Sequence, residues 1–299
     1  MSRCLALALT ALAACSTPSP ASAQPPAPAA RPAAPATPFA VKVTGHGPPM
    51  IFLPGLGSSG DVWNATVAHV RDRFTCYVLT LPGFAGQPAV PGPFLAQMRT
   101  AIASYITAAR LDHPIVVGHS LGGVLALELA IDHPELIRRL VIVDSLPFLT
   151  AAFVPDATAA SAQAIAAPMR DAMRKNTGDH ERQRAMIDTM VTRPADRATV
   201  LGWSLASDRA TVADAMYDVM TTDLRADVAR ITAPTLVIGT WQGRPDGNRG
   251  EAAKIFDAQY AKLRGVKITL ADTARHFVML DDPAFWLAQL DAFTAAAQP

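Results

Sequence analysis

The most constraining feature of the chain is a glycine-rich turn, Gly-His-Ser-Leu-Gly-Gly at residues 118–123, that joins two different periodicities. Residues 114–117 before it are apolar and β-branched, as in a buried strand, and residues from about 121 to 131 follow a helical pattern. A strand that passes into a helix within so few residues must turn sharply, and such a turn closes only where its flanking residues are small. The pattern therefore predicts a strained strand–turn–helix unit.

Ser120 lies at the centre of this turn, with Gly118 and Gly122 two residues before and after it. A residue in that place is forced into strained backbone angles, and its hydroxyl is presented above the sheet at the first turn of the helix. Helix N–H groups favour negative charge there. A serine hydroxyl is a poor nucleophile unless a base takes its proton. A catalytic role for Ser120 therefore requires a base elsewhere in the chain, and without one the turn would be only structural.

Apolar or β-branched runs alternate with longer helical stretches through the rest of the chain, which predicts a mostly parallel sheet flanked by helices in an α/β fold. Residues 147 to about 230 are helical and rich in methionine, and we interpret them as an inserted helical cap that selects the substrate. The predicted strands cover residues 39–44, 49–53, 76–80, 114–117, 140–144, 234–238 and 266–270, and the predicted helices follow Asp61 and cover about 94–111, 121–131 and 283–294.

In the order of these elements and motifs, residues 39–299 resemble the α/β-hydrolase superfamily, in its serine hydrolase or esterase form with a helical cap. The resemblance implies that Ser120 is the nucleophile of a nucleophile elbow. It implies that the backbone N–H groups of Leu56 and Leu121 form the oxyanion hole, which stabilises the charge of a tetrahedral intermediate. It also implies that His276, between the last strand and the last helix, is the general base.

Two other loops match the family with one departure each. Pro54-Gly55 stands where His-Gly is usual in the loop that carries Leu56. The segment 79–86 resembles the family's Asp-x-x-Gly-x-Gly turn, with Thr80 where an aspartate is common, and we interpret this turn as structural.

The acidic partner of the base is where the sequence departs most from the family. The usual Gly-x-x-Asp after the penultimate strand is here Gly-Thr-Trp-Gln at residues 239–242, which contains no carboxylate. The family has a second solution at the end of the strand that follows the elbow helix, and Asp144 occupies that place, where it could also be an ordinary strand-end residue. The sequence favours Asp144 as the acid, with Asp246 as the alternative.

Three methionine pairs in the predicted cap are each spaced four residues apart, so each pair shares one helical face. Such faces either pack on the domain or line an adaptable apolar pocket, because methionine repacks around varied ligands. The pairs are Met169/Met173, Met186/Met190 and Met216/Met220, and Trp203 and Trp241 would extend an apolar pocket.

These features together predict a carboxylic-ester hydrolase that acts through an acyl-enzyme on a partly apolar, small-molecule ester. Amide, lactone or carbon–carbon bond hydrolysis uses the same machinery and stays open, as does an inactive binding protein. No metal or organic cofactor is expected. The net charge of +1, with 26 basic against 25 acidic residues and no basic run, argues against nucleic-acid binding. The sequence does not determine an oligomeric state.

The N-terminal residues predict export. Residues 1–15 combine Arg3 with a short apolar run, and residues 12–15, Leu-Ala-Ala-Cys, resemble a bacterial lipobox in which Cys15 is lipidated. Residues 16–38 are a Pro/Ala-rich tether. The expected location is the periplasm, with the lipid as the only membrane contact and the outer membrane as its site. Cleavage after residues 21–23, Ala-Ser-Ala, is the alternative and would give a soluble exported protein.

Overall fold

The computed structural model describes residues 37–175, 180–243 and 247–295. The predicted signal and lipidation site in residues 1–15, most of the tether, and the alternative acid Asp246 lie outside these ranges. Within them, no helix combines the length and the apolar character that a membrane span requires.

Seven strands of the described residues form one sheet, each within two residues of its predicted bounds. They are β1 (Ala40–Gly45), β2 (Pro49–Leu53), β3 (Thr75–Thr80), β4 (Ile115–His119), β5 (Arg139–Val143), β6 (Thr235–Thr240) and β7 (Lys267–Ala271). Their order across the sheet is β1-β3-β2-β4-β5-β6-β7. Only the β1–β3 pair is antiparallel among these strands. The predicted fold class, a mostly parallel sheet in an α/β fold, is confirmed.

Helices flank the sheet and fill the long connection between β5 and β6. They are α1 (Asn64–Val70), α2 (Phe94–Ala108), α3 (Leu121–Asp132), α4 (Ala159–Lys175), α5 (His180–Met190), α6 (Pro194–Leu205), α7 (Arg209–Thr221), α8 (Arg249–Gln259), α9 (Val278–Asp281) and α10 (Pro283–Ala295). Helices α4 to α7 occupy the segment that the sequence assigned to the cap. Helix α8 was not predicted, because its buried positions include alanine and glutamine and so present a weak apolar pattern.

Side chains of the central strands alternate between two buried layers, one on each face of the sheet. In β2, Ile51 and Leu53 join the layer that contains α3, whereas Met50 and Phe52 join the layer of Trp286 on α10. This alternation follows from the two-residue period of a strand, and both faces are apolar because helices cover both.

The strands β4, β5 and β6 are parallel neighbours, so their carboxyl ends lie side by side at one edge of the sheet. Ser120 follows β4, Asp144 follows β5, and Thr240 ends β6. Open α/β sheets place their binding sites at this edge, which brings residues that are far apart in the sequence into one site.

Candidate active site

Ser120 sits in the turn between β4 and α3 with φ of 53° and ψ of −121°. Its backbone N–H donates to the carbonyl of Val143 over 3.0 Å, which ties the turn to the end of β5. A Cβ on Gly118 would lie 2.2 Å from the carbonyl oxygen of Gly122, and a Cβ on Gly122 would lie 2.4 Å from that of Leu53. Both positions therefore exclude any side chain, for the reason that the sequence indicated.

Asp144 and His276 are in direct contact, with 2.6 Å between Oδ2 of Asp144 and Nδ1 of His276. The backbone N–H of Thr240 donates to the other carboxylate oxygen over 2.9 Å. Asp144 has a φ of 42°, a strained value for a residue with a side chain, and its own N–H donates to Ile238 over 2.7 Å. The structure thus brings the predicted base and the favoured acid together.

The charge on Asp144 is stabilised by these contacts. Burial by itself would raise the pKa of this carboxyl, but the hydrogen bonds from His276 and Thr240 and the positive charge of a protonated His276 outweigh it. The pKa of Asp144 is consequently lowered. An ionised carboxylate on Nδ1 fixes the tautomer of His276, so that its Nε2 is free to accept a proton.

The ring of His276 lies beside the nucleophile turn. Its centroid is 4.6 Å from that of His119, the residue before Ser120. Ser120 and His276 are both half-buried, whereas the residues around them, including Gly118, Leu121 and Phe277, are buried. Both side chains are therefore partly accessible to a reactant.

The loop after β2 packs against the nucleophile turn. A Cβ on Gly55 would lie 3.2 Å from the Cβ of Ser120, so the backbone of this loop lies against the serine. The loop is a tight turn in which Ser58 N–H donates to the carbonyl of Gly55 over 3.2 Å, with Gly57 at φ of 64°. Leu56, one of the two predicted oxyanion donors, lies inside this turn. The other, Leu121, is the first residue of α3.

Several backbone contacts hold the loop of His276 on the end of α5. The N–H of Phe277 donates to the carbonyl of Met190 over 3.3 Å. The carboxylate of Asp281 accepts from the N–H of Arg275 over 3.0 Å and from the N–H of Thr192 over 2.8 Å. The segment that carries the predicted base is thereby attached directly to the helices between β5 and β6.

A second set of contacts, which the sequence analysis did not predict, supports the segment after Asp144. The hydroxyl of Tyr260 donates to the carbonyl of Ser145 over 2.8 Å, and burial raises the pKa of this phenol well above its usual value. The backbone N–H of Phe148 donates to Oε1 of Gln259 over 3.1 Å, and Nε2 of Gln259 donates to the carbonyl of Phe148 over 2.9 Å. Both side chains come from the end of α8, the helix that was not predicted.

The turn after β3, which we interpreted as structural, contacts the start of the α6–α7 connection. Ala85 N–H donates to the hydroxyl of Ser207 over 2.9 Å, and Gly86 N–H donates to the carbonyl of Ala206 over 3.0 Å. Asp208 N–H donates back to the carbonyl of Gly83 over 2.7 Å. The turn therefore anchors the α6–α7 connection, residues 206–208, to the sheet.

The methionine pairs do not form a buried cluster. Five of the six side chains are half-buried, and that of Met186 is 49% exposed. Met190 packs against the layer that contains Trp286. In the ranges that the structure covers, no group of three histidine, cysteine or acidic side chains is arranged to hold a metal ion.

A strained serine beside a histidine that binds a buried carboxylate, at the carboxyl edge of a mostly parallel sheet, is the arrangement found in the α/β class of hydrolases. The chain belongs to the alpha/beta hydrolase family, whose family model matches residues 50–290. The predicted family resemblance is thus confirmed.

Named relatives extend over nearly the whole family domain. The chain is 29% identical over 260 residues to a pimeloyl-[acyl-carrier protein] methyl ester esterase of Nitrosomonas europaea, a match that covers 84% of this chain and 98% of that protein. It is 26% identical over 275 residues to the enzyme of the same name from Aeromonas hydrophila, covering 85% and 98%. A crystal structure of a hydrolase from Pseudomonas aeruginosa superposes with a TM-score of 0.72 at 22% identity, covering 86% of this chain and 94% of that one. The two esterase matches support the prediction of an ester-hydrolase type of enzyme, and the structural match shows the same fold.

Proposed function

We propose that the chain is a serine hydrolase that cleaves carboxylic esters through an acyl-enzyme. The observation that carries the proposal is the 2.6 Å contact between His276 and Asp144 beside Ser120, which is held at φ of 53°. The names of the relatives, which specify methyl ester esterases, support an ester as the bond and a small alcohol as the leaving group.

In the first half of the proposed reaction, Oγ of Ser120 attacks the ester carbonyl carbon while Nε2 of His276 takes the hydroxyl proton. The carbonyl oxygen becomes negatively charged, and the N–H groups of Leu56 and Leu121 donate to it. One such donor typically contributes about 3 kcal/mol to lowering the barrier. The carbon–oxygen bond of the ester then breaks, and the alcohol leaves with the proton that His276 returns.

In the second half, water takes the place of the alcohol. His276 removes one proton from the water as its oxygen attacks the acyl carbon, the same N–H groups bind the charged oxygen, and the bond to Ser120 Oγ breaks. The proton returns to Ser120, and the carboxylic acid leaves. Asp144 stays ionised throughout and stabilises the positive charge on His276.

The helices between β5 and β6 would supply the binding surface for the acyl group. Half-buried methionines such as Met169 and Met216 offer apolar area outside the two core layers, whereas Met190 and Trp203 already pack against the layer that contains Trp286. We therefore propose a partly apolar acyl group.

Labelling with a fluorophosphonate probe tests the nucleophile, with Ser120→Ala as the matched control. A panel of methyl and p-nitrophenyl esters of rising acyl length then tests the bond and the acyl preference. Labelling that vanishes in the variant, together with ester turnover, supports the proposal. Labelling without ester turnover would indicate that the enzyme hydrolyses amides, lactones or carbon–carbon bonds instead. The absence of labelling would favour an inactive binding protein.

We also propose that the protein is exported and anchored through a lipid on Cys15, because residues 12–15 match a lipobox. In a bacterial host the full chain should incorporate labelled palmitate and fractionate with membranes. Cys15→Ser should lose both properties. A wild-type protein that carries no label and begins after Ala23 would instead identify a soluble exported protein.

A further inference from the structure

His119, between Gly118 and Ser120, is fully buried, and its two ring nitrogens have different surroundings. Nε2 lies 3.0 Å from the backbone carbonyl oxygen of His276. Nδ1 is buried without a hydrogen-bond partner, and it faces Gly55, where an added Cβ would lie 2.9 Å from it. One side chain thus touches the nucleophile turn, the base and the loop of Leu56.

The protonation of this ring follows from its contacts. A carbonyl oxygen only accepts hydrogen bonds, so Nε2 of His119 must carry the hydrogen and donate it to His276. Burial, reinforced by the neighbouring His276, lowers the pKa of His119 to about 3. The ring is therefore neutral at ordinary pH, and Nδ1 keeps an unused lone pair.

An unpaired nitrogen in a buried place is unfavourable, and an apolar residue of similar size would fill the same space without it. An apolar residue could not, however, form the hydrogen bond that Nε2 donates. Its acceptor is the backbone of the base itself, on a loop whose neighbouring link, from Phe277 to Met190, is a longer contact of 3.3 Å.

We propose that His119 is a positioning residue, whose Nε2–H fixes the backbone of His276 relative to the nucleophile on the next residue. This inference rests on the proposed function of Ser120 and His276. In the first half of the reaction, Nε2 of His276 takes a proton from Ser120 and gives it to the leaving alcohol. In the second half, it takes a proton from water and returns it to Ser120. A small displacement of Nε2 from these oxygens slows the reaction strongly. The neutral ring also places no second positive charge beside His276 when that residue is protonated.

A matched pair of amide substitutions tests this role. In His119→Gln the side-chain N–H₂ can reach the position of Nε2, and the donor to His276 is restored. In His119→Asn the amide ends near the position of Nδ1, and that donor is lost. We expect His119→Asn to lower kcat for a p-nitrophenyl ester at least tenfold with KM within twofold, and His119→Gln to recover kcat to within about threefold of wild type.

Hydrogen–deuterium exchange of the peptide that spans residues 275–281 supplies a readout that does not depend on turnover. Its exchange should be faster in His119→Asn and unchanged in His119→Gln. Equal kcat and equal exchange in the two variants would overturn the proposal. It would also be overturned if the kcat of each variant fell in proportion to its loss of thermal stability. If the wild type neither binds the fluorophosphonate nor hydrolyses esters, the proposed function fails, whereas the exchange comparison still decides whether His119 holds the loop.

Discussion

The backbone N–H of Thr240 donates to Asp144 across 2.9 Å, from the end of one strand to the end of its neighbour. Thr240 belongs to the segment 239–242, where the family usually has the catalytic carboxylate and this chain has none. In the folded protein this segment instead supplies a hydrogen-bond donor to a carboxylate on the adjacent strand. The end of β5 thus supplies the carboxylate that contacts His276, and the end of β6 supplies a donor that holds this carboxylate.

Replacing Asp144 by asparagine should lower kcat for an ester by about 10³- to 10⁴-fold, because an amide neither fixes the tautomer of His276 nor stabilises its positive charge. Thermal unfolding should confirm that the variant is folded. Asp246→Asn is the matched control and should keep nearly full activity. The reverse pattern, with Asp246→Asn inactive and Asp144→Asn active, would transfer the role of the acid to Asp246.

Gly122→Ala should destabilise the fold by about 3 kcal/mol or more, because the new Cβ would lie 2.4 Å from the carbonyl oxygen of Leu53 in a rigid core. Gly202 lies within α6 with open space around its Cα, so Gly202→Ala should stabilise the protein by about 0.5–1 kcal/mol. Urea unfolding of the two variants measures both effects. A Gly122→Ala protein as stable as wild type would contradict the close packing of the nucleophile turn.

Glu128 on α3 provides a prediction about pH. Burial raises the pKa of its carboxyl to about 7, against the opposing effect of Arg99, whose guanidinium lies 3.5 Å away. The folded protein therefore holds this proton more tightly than the unfolded chain. The resulting stabilisation is complete below about pH 4.5 and is lost as the pH rises through about 7.

Glu128→Gln removes this titration. The variant should gain stability relative to wild type by up to about 3 kcal/mol between pH 5 and pH 8, measured by urea unfolding at each pH. Asp132→Asn, one turn further along α3 at an exposed position, is the control. The charge of Asp132 raises the pKa of Glu128 less than burial does, so this variant should change the pH dependence much less. Parallel stability curves for wild type and Glu128→Gln would show that Glu128 has an ordinary pKa.

Asp281 joins the His276 loop to the end of α5 by accepting from the N–H groups of Arg275 and Thr192. Asp281→Ala leaves both donors without this acceptor and should cost about 1–3 kcal/mol of stability. Hydrogen exchange should rise together in residues 188–192 and 275–281. Asp214→Ala, which removes an ion pair between α7 and Arg174 on α4, should leave both segments unchanged. A rise in one segment alone would mean that Asp281 does not couple them.

Much of the site followed from local patterns. The turn around Ser120 was predictable because glycines at 118 and 122, between an apolar strand and a helix, satisfy a local steric requirement. The place of His276 between the last strand and the last helix pointed to a role only through the family resemblance. The helical character of the segment between β5 and β6 was predictable from its periodicity, whereas α8 was not, because alanine and glutamine bury without a strong apolar pattern.

The sequence by itself determined the strand order along the chain, the strained turn and the residue types at the strand ends, since these depend on neighbours a few positions apart. Only the tertiary structure decided which carboxylate meets His276, because Asp144 lies 132 positions away in the chain and reaches it through the pairing of β5 with β6. The contacts of His119, Tyr260 and Asp281 belong to the same category. Each joins segments whose separation in the sequence carries no information about their distance in space, and packing of the sheet and its helices sets that distance.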